Sequence, residues 1–143
     1  MKSRVKWIEH RTFLGESESG HSMIMDGDPA NGGRNLAIRP METLLIGMGG
    51  CSAYDVINIL EKAREKIVGC EVELNAEREN TDPKVFKHIN VNYIVTGHNL
   101  NASKVENAVN LSAEKYCSAS IMLGKTAKIS HEINIINLSK QQE

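Results

Sequence analysis

The chain has 143 residues, 41% of them hydrophobic and 24% charged, with a formal net charge of -1. These values describe a soluble globular chain: one domain, or two tightly fused lobes, with a real core. They imply no strong field, so charge gives no case for nucleic acid or an anionic membrane as a partner.

No apolar run is expected to span a bilayer. Met1-Lys2-Ser3-Arg4-Val5, followed by Lys6 and Glu9, lacks the apolar stretch of a secretory leader. The expectation is a cytoplasmic protein whose thiols are kept reduced. Its three cysteines, an odd number, do not read as a structural disulfide framework. A cysteine pair in that compartment suggests catalysis, metal binding or plain packing.

Val5–Glu9, Thr12–Gly15 and His21–Met25 read as three short strands, with Gly20 and Asp26-Gly27 as turns. Gly27 to Arg39 is a long loop rich in Gly, Asn, Asp and Pro, of the kind that is often functional or mobile. Pro40 opens a helix. Leu44, Leu45, Met48, Val56, Ile59 and Leu60 give it an apolar stripe to about Lys66. Gly49-Gly50 interrupts the pattern and permits a bend. Gly69 closes the helix and Cys70 opens a strand.

Glu71–Glu77 and His88–Val95 alternate with period two around an Asn80–Pro83 turn, which predicts an antiparallel pair with one wet face. Asn101-Ala102-Ser103 caps a helix to about Lys115. A short helix or turn spans Cys117–Leu123, and Lys128–Ile136 is a final strand. The tail Lys140-Gln141-Gln142-Glu143 is expected to fray. The order is α+β, without a βαβα series. A helix this long and apolar needs more cover than one small sheet provides, and a dimer would supply it.

Cys51 is the first candidate for chemistry. It follows Gly49-Gly50 on the apolar stripe, and Ser52 and Ala53 leave room around it. It reads either as an accessible nucleophilic thiol or as a small buried apolar residue. Cys117 lies at a helix end, where amides stabilise a thiolate; it too is open to the packing reading. Nothing around Cys70 suggests activation. There is no Cys-x-x-Cys and no His-x-x-x-His, so a metal site would have to be assembled wholly through space, and none is expected. No Gly-x-Ser-x-Gly elbow, P-loop or Gly-x-Gly-x-x-Gly occurs, so no nucleotide or other cofactor is called for.

The run Arg39-Pro40-Met41-Glu42-Thr43-Leu44-Leu45, then Gly49-Gly50-Cys51-Ser52-Ala53-Tyr54-Asp55-Val56, resembles the first cysteine motif of the OsmC/Ohr family. Ser112-Ala113-Glu114-Lys115-Tyr116-Cys117-Ser118 resembles its second. The likeness runs through the whole chain in matching order, and is nearest to the OsmC-like branch.

The resemblance implies an OsmC-like fold over residues 1–143. Small antiparallel sheets would pack around a long central helix in an intertwined homodimer, with its sites at the subunit interface. It implies a thiol peroxidase acting in oxidative-stress defence. Cys51 would attack an organic hydroperoxide and become a sulfenic acid. Cys117 would condense with it, and a dithiol reductant, lipoyl-type or other, would reopen the disulfide.

The family pairs a carboxylate with an arginine beside the first cysteine. Glu42 matches the carboxylate, and it also reads as a first-turn charge complementing the helix dipole. Arg11 and Arg39 are the arginine candidates, each equally readable as a surface charge. Glu42 and Cys51 are nine positions apart, which on a straight helix puts them on opposite sides. They serve one site only if the chain bends between them. Asp55, one turn after Cys51, would raise a thiol pKa and is read as structural or capping. The alternative function is a non-catalytic protein of the same fold that binds a small hydrophobic ligand at the dimer interface, near Met41, Met48 and Tyr54.

Overall fold

The computed structural model describes residues 1–139, so the expected fraying of Lys140–Glu143 lies outside the described residues. The chain divides into two compact units, Met1–Leu45 and a second from Ile46 onward.

The first unit is a three-stranded antiparallel sheet in the order β1 (Ser3–Glu9), β2 (Thr12–Ser17), β3 (Ser22–Met25). His10, at a positive φ of 46, turns the chain between β1 and β2. The loop that follows, read as functional or mobile from its composition, is tied down by hydrogen bonds. Asp26 is fully buried and accepts hydrogen bonds from the N–H groups of Gly27 (2.7 Å), Leu36 (3.0 Å) and Arg34 (3.2 Å). One short carboxylate thus satisfies three backbone donors across the loop. Gly33 is needed here, because a Cβ on it would come 2.0 Å from the carbonyl oxygen of Gly27.

Helix α1 (Pro40–Lys62) starts in the first unit and continues into the second. It passes through Gly49-Gly50 as one continuous helix, which corrects the expected interruption. It also ends sooner than its apolar pattern suggests. Arg64 adopts a left-handed φ of 59, and β4 (Lys66–Arg78) begins at once. Gly69 and Cys70 therefore lie inside a strand. By length and composition α1 is apolar enough to cross a bilayer, which corrects the expectation that no segment is. Its buried residues are Met48, Gly49, Ser52, Val56 and Leu60, a stripe of nearly four-residue spacing.

β4 pairs antiparallel with β5 (Phe86–His98), as the alternating pattern predicts. The inward residues Ile89, Val91, Tyr93 and Val95 form the centre of the core. Then follow α2 (Ala102–Leu111), capped by the Asn101 side chain, a π-helical turn over Ser112–Tyr116, and α3 (Ser118–Leu123). β6 (Lys128–Asn137) returns parallel to β5, so the sheet order is β4-β5-β6 and the sheet is mixed. This corrects the expectation of purely antiparallel sheets. The long connection through α2 and α3 is what a parallel return requires. The architecture is α+β, with two small sheets and one long helix.

Candidate active site

The second unit brings together two cysteines far apart in the chain. Cys51 lies on α1, half-buried, while Cys117 caps the N-terminus of α3 and is fully buried. Their sulfurs, with a carboxylate oxygen of Asp55, all lie within 4.8 Å of one another. Cys51 and Asp55 meet because residues four apart share a helix face. Cys117 arrives by another route. The π-helical turn over Ser112–Tyr116 places one residue more than an α-helix would in that turn, and the chain then turns extended at Cys117 before α3 starts.

Cys117 is held on several sides. Its thiol faces the carbonyl of Met48 at 3.9 Å. The sulfur accepts from the hydroxyl of Ser120 at 3.1 Å and from its N–H at 3.4 Å. Burial pushes its pKa up, the Ser120 hydroxyl and N–H pull it down, and hydrogen bonding and charge at Cys51 push it up again. Burial also raises Cys70, which sits on β4 away from this pair in sequence and is half-buried.

A polar chain runs beside the sulfurs. Tyr93 from β5 hydrogen-bonds Ser52, Ser52 meets Ser112 at 3.0 Å, and the Ser112 hydroxyl reaches Asp55 Oδ2 at 3.3 Å. Each hydroxyl has one proton to give, so donation running Tyr93 to Ser52 to Ser112 to Asp55 satisfies every member and ends on the carboxylate. Tyr93, Ser52 and Ser112 are essentially fully buried. Burial raises the Tyr93 pKa, against the pull of the Ser52 hydrogen bond. Among the described residues no buried side-chain polar atom lacks a partner.

The remaining sequence candidates lie in the first unit. Glu42 accepts the backbone N–H of Arg39 at 2.8 Å, a cap at the start of α1. The Arg39 guanidinium pairs with Asp28 at 2.9 Å. Arg11 donates to the carbonyl of His10 at 3.1 Å, and its stem lies against Gly27. Arg34, not singled out from the sequence, pairs with Glu9 and reaches the Thr12 hydroxyl at 3.3 Å. Sequence reasoning gave no role to Tyr93, Ser112 or Ser120, although Tyr93 carried a signal as an inward position of the alternating β5 and Ser112 opens the second cysteine motif.

The profile of the OsmC-like protein family matches residues 32–132. Protein YhfA of Escherichia coli K12 is 51% identical over 136 residues, covering 95% of this chain and 98% of that protein. A solved hypothetical protein from Aquifex aeolicus VF5 is 29% identical with a TM-score of 0.78, over 94% of this chain and 96% of its own. A Legionella pneumophila structure described as an organic hydroperoxide resistance protein OsmC shares the fold at 16% identity, with a TM-score of 0.69 over 94% of this chain and 97% of its own. With both cysteine motifs inside the matched residues and a relative 51% identical over nearly the full length, the chain belongs to the OsmC-like family.

Proposed function

We propose that this protein is a thiol-dependent peroxidase that reduces organic hydroperoxides in the cytoplasm. The observation that carries the reading is the approach of the Cys51 and Cys117 sulfurs to within 4.8 Å. A disulfide bond is about 2.05 Å long, so side-chain rotation and a small backbone shift close the gap. The peroxide-resistance description of the Legionella pneumophila neighbour gives the chemistry its direction.

Cys51 is the attacking sulfur, because it is half-buried where Cys117 is enclosed. Its thiolate attacks one peroxide oxygen and the O–O bond breaks. The products are a Cys51 sulfenic acid and, once the leaving oxygen takes a proton, an alcohol. The Cys117 sulfur then attacks the sulfenyl sulfur, water leaves, and the disulfide forms. An external dithiol, lipoyl-type or other, reduces it and is itself oxidised to a cyclic disulfide.

Among the described residues, α1 carries exposed apolar side chains, Leu44, Ile46 and Tyr54 among them. A second copy covers them in this reading, which makes the working form a homodimer.

Mild oxidation of the reduced protein with an organic hydroperoxide, followed by peptide mapping, tests the mechanism. The expected product is one Cys51–Cys117 disulfide. Cys117→Ser should stop at a sulfenic acid that dimedone traps, and Cys51→Ser should lose dithiol-driven peroxide consumption. Undiminished turnover in Cys51→Ser removes the mechanism.

One observation favours a second reading. Arg39 and Arg11 engage Asp28 and the His10 carbonyl, and Glu42 engages the Arg39 N–H, so each already has a partner in the first unit. A protein without an arginine at its thiol would bind a small hydrophobic ligand on the same fold instead. Native mass spectrometry showing retained ligand and no peroxide turnover would select it.

A further inference from the structure

We propose that Cys51, Asp55 and Cys117 form a binding site for a thiophilic divalent cation of the zinc and cadmium class. Two sulfurs and one carboxylate oxygen converge within 4.8 Å of one another. Ligand atoms on a tetrahedral zinc are separated by roughly 3.3–3.8 Å, given Zn–S near 2.3 Å and Zn–O near 2.0–2.2 Å. Small rotations about the side-chain bonds bring these three into range. The sequence concealed the site, because its ligands come from α1 and from the start of α3 and share no zinc-like spacing.

The groups behind the ligands suit the role. The Ser112 hydroxyl donates to Asp55, and the Ser120 hydroxyl and N–H donate to Cys117. Partners of this kind orient metal ligands and hold their charge. Asp55 makes no ion pair among the described residues of the chain. Two thiolates beside that carboxylate would repel one another, and a cation at their centre removes the repulsion. Two soft sulfurs select against magnesium and calcium, which take oxygen ligands. Three protein ligands leave the fourth tetrahedral position to water or an external donor.

Binding holds both sulfurs as thiolates, so any thiol proton is released. It leaves no free thiolate to attack peroxide and no free partner to close the disulfide. The cation therefore competes with turnover. That second consequence rests on the proposed peroxidase reading; the binding itself does not.

Titration of the reduced full chain with cadmium under anaerobic conditions tests the site through thiolate-to-cadmium charge-transfer absorption. The expected result is one cadmium per chain. The band should vanish in Cys51→Ser and in Cys117→Ser, and persist in Cys70→Ser. Asp55→Ala should weaken binding by about tenfold or more, the cost typical of disturbing a metal site. Should a variant fail to fold, the wild type serves: stoichiometric zinc should slow alkylation of Cys51, read by peptide mapping. No band in the wild type, a band that persists in Cys51→Ser, or unprotected Cys51 overturns the proposal. Zinc should also suppress peroxide consumption. Metal binding in a protein without turnover would defeat only the peroxidase reading. Turnover in a protein that binds no cadmium would defeat only the metal site.

Discussion

The Cys117 thiol is enclosed and pushed up by burial, while Cys51 keeps access to solvent. Iodoacetamide should therefore label Cys51 first in the native reduced protein, with Cys117 following only on unfolding; equal rates would contradict the assignment of roles. In the polar chain, Tyr93→Phe removes the donor to Ser52 while Ser52 keeps Ser112. The cost should be about 0.5–1.5 kcal/mol in urea unfolding, the usual worth of one hydrogen bond. Asp26 supplies a pH dependence. Hydrogen bonds from the N–H groups of Leu36 and Gly27 hold its carboxyl below the ordinary value, against the opposing effect of burial. Its stabilisation is present above the unfolded carboxyl pKa of about 3.9 and is lost as pH falls through the lower folded value. Asp26→Asn should be less stable than the wild type at pH 7, and the two melting temperatures should converge on acidification. A gap that stays constant with pH would remove Asp26 from the account.

At the scale of elements, α1 depends on a close approach that its sequence pattern does not announce. A Cβ at Gly49 would lie 2.7 Å from Leu74 Cδ1 on β4. Gly49→Val should cost about 1–3 kcal/mol in denaturant unfolding, because overpacking forces off-rotamer side chains and backbone shifts. An unchanged midpoint would mean that the Leu74 side chain swings aside without cost. The strands that alternate cleanly, β4 and β5, were legible because one face is wet. The end of α1 was not: Ile67 and Val68 continue an apolar pattern, and the left-handed turn at Arg64 carries no glycine to mark it. The direction of β6 was equally hidden, since period-two alternation is the same in parallel and antiparallel pairs.

For the whole molecule, the exposed apolar face of α1 is the main demand for a partner. Ile46 is 57% exposed and Tyr54 is 69% exposed in the single chain. Ile46→Glu should shift the protein from dimer to monomer in sedimentation, if a second copy covers that face. A wild type that sediments as a monomer at working concentration would sink the dimer. The likeness of the two motifs was enough to suggest the family and to name Cys51 and Cys117 together. The Glu42 and arginine assignments came from the same likeness, yet in the first unit those side chains have cap and ion-pair partners of their own.

Local order along the chain determined the strands and the helices, because hydrophobic period and turn residues act over a few positions; the two cysteines were paired by the resemblance of their motifs to the family. It could not determine the meeting of Cys51, Asp55 and Cys117, the hydroxyl chain from Tyr93 to Asp55, or the parallel return of β6. Those depend on which distant segments share one core, and on a π-helical turn that redirects the chain just before Cys117. Short-range preferences say what a segment is; only the packing of all segments together says what each one faces.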